Sequence, residues 1–250
     1  MSHILILGGT TEASALARAI AERGMRATLS YAGRTESPRA QPVPVRVGGF
    51  GGIEGLAEWL EREGVTHLVD ATHPFAATMS GHAVAAAERT GVDHIRLTRA
   101  AWEPVEGDRW TRVADIAGAV KALDGPALRV MLALGRMHVA AFAAQPQHHY
   151  LLRFVDAPEA PPMLPDHHLL VDRGPFTVEG DIALMRAHRI EQVVAKNAGG
   201  SGARAKLDAA RMLGLPVVLI DRPPLPDAPT AHGVAEVLAW IDHAAAQRGV

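Results

Sequence analysis

Four loops in this 250-residue chain hold the residue types that could do chemistry. The first is Gly8-Gly9-Thr10-Thr11-Glu12, between an apolar run at 4–7 and a helical pattern with Leu16, Ala17 and Ile20 on one face. Strand, glycine turn and helix start together make an anion site: amides point outward there and the helix dipole favours negative charge. Glycine lets backbone approach a phosphate closely, and Thr10 and Thr11 add hydroxyls that donate or cap the helix. The full G-x-G-x-x-G fingerprint is absent, so a nucleotide site and a plain βα turn both fit these residues. The second loop is Thr72-His73-Pro74-Phe75, after a strand at 67–71. His73 could donate to a ligand or act as a general acid, Asp70 could orient neighbouring loops, and Pro74 suits a first helical turn. The third, Arg173-Gly174-Pro175-Phe176, is a rigid basic turn whose arginine could grip a carboxylate bidentately or pair with Glu179 or Asp181. The fourth is Lys196-Asn197-Ala198-Gly199-Gly200-Ser201-Gly202. A lysine ending a mostly apolar strand is costly unless it faces a partner. The loop amides and Ser201 could bind a carboxylate or phosphate, with Arg204 following in the helix.

The elements that must position these loops alternate regularly. Strands at 27–31, 67–71 and 94–98 are separated by helices at 53–63 and 76–89, and a short strand at 43–47 is added. This is the order of a parallel doubly wound sheet. The strand at 27–31 ends without the acidic residue that takes a ribose 2′-hydroxyl in dinucleotide folds. Arg34 follows, with Ser30 and Gly33 beside it; an arginine there suits a 2′-phosphate, so NADP is favoured over NAD. The second half repeats the scheme. Leu134-Gly135 echoes Leu7-Gly8, Lys196-Asn197 echoes the Asp70 loop, and Gly214 and Arg222 echo Gly91 and Arg99. Two Rossmann-like α/β domains are therefore expected, 1–125 and 126–250, facing each other across a cleft, with exchange of strands between the halves left open. Ligands in such sheets sit at the carboxyl ends of strands.

Composition narrows the class. A net charge of −2 argues against a dedicated nucleic-acid binder. The absence of cysteine excludes disulfides and thiolate catalysis. No apolar run approaches the ~20 residues of a membrane span. The N-terminus enters a strand at once, so a cytoplasmic protein without a signal peptide is expected. There are 13 histidines but no H-E-x-x-H pattern, and no metal is expected. No G-x-S-x-G elbow or G-x-x-x-x-G-K-[ST] loop is present, which disfavours hydrolase and ATPase chemistry. The basic loops point to a polyanionic small molecule, with Arg136 a further contributor. A monomer or weak homo-oligomer is expected.

With these loops in view, the chain resembles the precorrin-6A reductases of cobalamin biosynthesis. The resemblance rests on Leu7-Gly8-Gly9-Thr10-Thr11-Glu12-Ala13, Asp70-Ala71-Thr72-His73-Pro74-Phe75-Ala76, Arg173-Gly174-Pro175-Phe176 and Lys196-Asn197-Ala198-Gly199-Gly200, in family order through most of the chain. The family often has serine where Ala198 stands. The resemblance implies NADPH-dependent reduction of one double bond of a polycarboxylate tetrapyrrole. It puts Gly8, Gly9, Thr10, Thr11 and Glu12 at the pyrophosphate and Ser30, Gly33 and Arg34 at the 2′-phosphate side. Thr72, His73 and Pro74 then lie near nicotinamide, and Arg136, Arg173, Gly174, Lys196, Asn197, Gly199, Ser201 and Arg204 at substrate carboxylates. His73, Lys196 and water are the candidate proton sources. The alternatives are an NADP-binding redox sensor without turnover and an NADPH reductase of another polycarboxylate.

Overall fold

A computed structural model describes residues 2–33 and 40–247. Arg34 lies outside them. The chain divides into two compact units, Met1–Ala100 with Pro224–Val250, and Ala101–Pro223.

The first unit begins with β1 (His3–Leu7), α1 (Thr11–Glu22), β2 (Arg26–Tyr31), β3 (Val45–Val47), α2 (Gly52–Arg62), β4 (His67–Asp70), α3 (Ala77–Thr90) and β5 (Asp93–Leu97). The second unit holds β6 (Trp110–Val113), α4 (Ile116–Lys121), β7 (Arg129–Ala133), a 3-10 helix (Arg136–Ala144), β8 (His149–Phe154), β9 (His167–Val171), α5 (Val178–Ala187), β10 (Gln192–Lys196), α6 (Ala205–Met212) and β11 (Val217–Ile220). The chain then returns to the first unit as β12 (Thr230–Ala231) and α7 (Val234–Gln247).

Each unit is an α/β fold around a parallel six-stranded sheet. The first runs β12-β5-β4-β1-β2-β3 and the second β6-β11-β10-β7-β8-β9. β1 and β4 are buried along their whole length, as strands covered on both faces must be. α1 buries Ala13, Leu16, Ala17 and Ile20 on one side of the first sheet, while α2 and α3 cover Leu5, Leu7 and Leu68 on the other. In the second unit α5 and α6 pack over Met131, Val193, Ala195, Val217 and Leu219.

The compact units do not follow the expected division at residue 125. β6 and α4 belong to the second sheet, with Val217 opposite Trp110. The last strand and helix belong to the first, with Thr230 opposite Arg96. β12 has only two residues, too short for any period-2 pattern to show. α7 closes the first core through Val237, Leu238 and Ile241, packed beside α1. Pro74 also differs from expectation: it precedes α3 as the second residue of a turn in which Ala76 N–H donates to the His73 carbonyl at 2.7 Å. Among the described residues no helix is long and apolar enough to cross a membrane.

Replacing the fully buried Ile241 by alanine should cost about 2–5 kcal/mol. Hydrogen exchange should show the loss as faster exchange in β1 and β5. A loss confined to β10 and β11 would contradict the return of α7 to the first core.

Candidate functional site

In the first unit the loops after β1, β4 and β5 carry the polar residues. Gly8 N–H donates to the Ser30 carbonyl at 2.8 Å, pinning the turn to the end of β2. A Cβ at Gly8 would lie 2.7 Å from Leu29 Cδ1, so the site tolerates no side chain without moving a core leucine. Gly9 has φ +117°, with open space where a Cβ would point, a conformation glycine adopts without strain. The turn is thus bare backbone at the start of α1.

Of the two roles open to the threonine hydroxyls, Thr10 takes the helix cap. Thr10 is the helix N-cap, accepting from Ala13 N–H at 3.1 Å, and it donates to the Ala71 carbonyl at 2.8 Å. It therefore ties the β1 turn to the end of β4 and keeps no proton for a phosphate. Thr11 donates to Glu12 Oε2 at 3.1 Å, and Arg99 Nη1 lies 2.9 Å from the same oxygen. Burial alone would raise the Glu12 pKa; its own backbone amide, Arg99 and the Thr11 hydroxyl outweigh this and hold it below the usual 4.5. Thr10, Glu12, Thr72, Pro74, Thr98 and Arg99 line one depression. Arg99 is legible in the sequence as the arginine at a strand end that Arg222 echoes, but its pairing with Glu12 at the start of α1 was missed.

Beneath the depression Asp70 is buried at the end of β4. Its Oδ1 accepts from Thr72 N–H at 3.1 Å and Thr72 Oγ1 at 2.6 Å, and its Oδ2 from Ser80 Oγ at 2.6 Å. The carboxylate thus shapes the His73 loop and anchors α3. His73 Nδ1 accepts from Phe75 N–H at 3.2 Å, so the neutral imidazole carries its proton on Nε2.

Ser30 is buried, and its Oγ accepts from Arg46 Nη1 at 3.2 Å. Arg46 also donates to the Gly48 and Gly49 carbonyls and stacks 3.7 Å over Phe50. Gly33 has φ +76°. Arg46, which sequence reasoning missed, therefore shapes the glycine-rich loop beside the end of β2.

In the second unit the Lys196 loop has its carbonyls turned inward. Arg222 donates from Nε to the Asn197 carbonyl and from Nη2 to the Ala198 carbonyl, each at 3.1 Å, and Trp102 Nε1 donates to the Gly200 carbonyl at 2.6 Å. Asn197, expected among the ligand contacts, is buried and uses its side chain otherwise. Its Oδ1 accepts from Trp102 N–H at 2.8 Å and its Nδ2 donates to the Trp102 carbonyl at 3.0 Å. Trp102 is the missed partner; nothing in its neighbours marked it. Gly199 and Gly200 are both left-handed, at φ +69° and +71°, and Ser201 follows exposed. Arg204 pairs with Asp208 at 3.2 Å.

Arg136 opens the 3-10 helix directly after left-handed Gly135. Arg173 follows β9 and pairs with Asp156 at 2.7 Å, rather than with the Glu179 or Asp181 considered from sequence. In register, Lys196 continues β10 beside β7, Arg136 follows β7, and Arg173 follows β9, with β8 between. Lys196, Arg136 and Arg173 thus share the carboxyl-end edge of one sheet. So do exposed Met137, Val155 and Val171.

The family described as precorrin-6x reductase CbiJ/CobK matches residues 3–242. The chain is 57% identical to the precorrin-6A reductase of Rhodobacter capsulatus over the whole of both chains. It is 49% identical to that of a Sinorhizobium species, covering 96% of this chain and 93% of the relative, and 40% identical to that of Mycobacterium tuberculosis over 96% and 98%. A solved structure described as CobK precorrin-6A reductase superposes with a TM-score of 0.94 at 56% identity, covering 98% of this chain and 97% of the other.

A glutamate held below its ordinary pKa contributes stability above its unfolded value and loses it as pH falls through the folded value. Glu12→Gln should therefore unfold earlier than the unchanged chain at neutral pH, with the gap closing as pH falls below the ordinary 4.5. A gap that widens toward acid would contradict the Glu12–Arg99 account.

Proposed function

The chain belongs to the precorrin-6x reductase family, and we propose on that premise how its two units divide the reduction of precorrin-6A. The reaction saturates one double bond of the macrocycle and gives precorrin-6B in cobalamin biosynthesis. The product gains two hydrogens, one as hydride and one as a proton.

NADPH is the hydride donor in this reading. The observation that fits it is the bare backbone of Gly8 and Gly9 at the start of α1, where a Cβ added at Gly8 would strike Leu29. Backbone amides in such a turn suit a diphosphate. Glu12 pairs with Arg99 in the depression lined by Thr10, Thr72 and Pro74, and Arg34 is assigned to the 2′-phosphate. When bound, the nicotinamide supplies the hydride. The loop shaped by Asp70 sets His73 beside it, and His73 Nε2–H is the proposed proton source, with the Lys196 ammonium as the second proton-bearing group.

The observation that carries the substrate assignment is the edge of the second sheet. Lys196, Arg136 and Arg173 are spread across the ends of β10, β7, β8 and β9, a span of roughly 14 Å at ~4.8 Å per strand. Separated cations of this kind match carboxylates on separate arms of one large ring. Exposed Met137, Val155 and Val171 on the same edge suit the apolar face of that ring. The amides after Gly199, with Gly174, Ser201 and Arg204, complete the polar contacts.

Mixed anaerobically with NADPH and precorrin-6A, the protein should oxidise one NADPH per macrocycle, and the product should gain the mass of two hydrogens. NADPH binding without turnover would instead support a sensor. Separately, Arg34→Ala should weaken NADPH at least about tenfold while NADH changes little, a loss of about 1.4 kcal/mol. Equal losses for both nucleotides would remove Arg34 from the 2′-phosphate.

A further inference from the structure

Inside the second unit lies a buried ion pair that none of these roles uses. Arg153, near the end of β8, donates from Nη1 to Asp181 Oδ1 in the first turn of α5, and the two side chains are only 8% and 3% exposed. Asp181 Oδ2 is buried with no hydrogen-bond partner. Desolvating two charges costs several kcal/mol per ion, and apolar replacements of such pairs are commonly neutral or stabilising. Fold stability alone is therefore a poor reason for this pair.

Its surroundings supply another reason. The Arg153 guanidinium carbon lies over the Phe176 ring, 3.7 Å from the centroid. A Cβ placed at Gly174 would lie 3.4 Å from Phe176 Cδ2 and Cε2, so the turn backbone runs beside that same ring. Phe176 thus has Arg153 over its ring and the Gly174 backbone beside it, and Gly174 is the neighbour of Arg173. Asp156, just past the end of β8, holds Arg173 itself at 2.7 Å. Both contacts of the Arg173 turn lead back to the end of one strand.

We infer that Arg153 and Asp181 are positioning residues, and that their pair fixes the Phe176 ring so that the Arg173 turn is presented in one shape to a substrate carboxylate. Asp181 fixes the guanidinium, the guanidinium fixes the ring, and the ring fixes the turn. A lysine at 153 keeps the charge but has no planar face to lay on Phe176. The inference rests on the assignment of Arg173 to a precorrin-6A carboxylate, so its test has one readout that does not need that assignment.

The full-length protein is compared with Arg153→Lys and with the double variant Arg153→Met/Asp181→Leu, which replaces the pair by apolar groups. Brief trypsin digestion, resolved by mass spectrometry, reports cleavage between Arg173 and Gly174. Steady-state kinetics report KM for precorrin-6A, KM for NADPH and kcat. Both variants should keep the unfolding midpoint and the circular dichroism of the unchanged chain. Both should be cut after Arg173 about tenfold faster. KM for precorrin-6A should rise about tenfold, with kcat and KM for NADPH within about twofold. Unchanged cleavage in the well-folded double variant would overturn the clamp. Faster cleavage with an unchanged KM for precorrin-6A would overturn its service to the substrate. Failure of the unchanged chain to consume precorrin-6A would overturn the substrate assignment, while the digestion still decides the clamp.

Discussion

A parallel strand buried on both faces cannot turn back on itself; it must hand the chain to a crossover element and start again from the same end. That constraint shapes both units. It gathers the loops after β1, β4 and β5 at one end of the first sheet, and those after β7, β8, β9 and β10 at one end of the second. Residues far apart in sequence, such as Glu12 and Arg99, meet there without any special device. The chemistry is left to loops whose backbone must be shaped by a few buried polar groups. Asp70 does this for the His73 loop, Arg222 and Trp102 for the Lys196 loop, and Arg153 with Asp181 for the Arg173 turn.

The two sheets also share an order. β12-β5-β4-β1-β2-β3 maps strand for strand onto β6-β11-β10-β7-β8-β9, and the two differ in where along the chain the outer strand beside β5 or β11 comes from. The segment carrying β6 and α4 precedes the second unit's other strands, while the one carrying β12 and α7 follows the whole second unit. The first core is consequently completed by the last helix of the described chain. Val237, Leu238 and Ile241 are buried among residues of α1 and β1, so the first core depends on residues more than two hundred positions from the glycine turn after β1.

Much of this was legible in the residues. Alternating apolar runs and helical stripes marked the strands and helices of both parallel sheets, and the glycine turn after β1 announced itself by type and place. What stayed hidden has physical causes. β12 is a two-residue strand recruited by its neighbour β5, so no local pattern encodes it. The direction of a hydroxyl is set by its tertiary partner: Thr10 reads equally as a ligand donor or a cap until the Ala71 carbonyl is beside it. Asn197 reads as a contact residue because it lies in a glycine-rich loop, yet its amide is matched on both sides by the backbone of Trp102, 95 positions away. The partners of Arg46 and Arg99 stayed hidden until the fold set Arg46, within β3, against Ser30, and Arg99, past the end of β5, against Glu12.

The account divides recognition between units: nucleotide at the glycine turn of the first, macrocycle at the basic edge of the second. Hydrogen exchange read peptide by peptide tests this division most directly, with NADPH added alone and precorrin-6A added alone. NADPH should slow exchange over 8–12, 30–33 and 70–76, and precorrin-6A over 134–137, 173–176 and 196–202. Protection of 196–202 by NADPH, with 8–12 left unchanged, would contradict it.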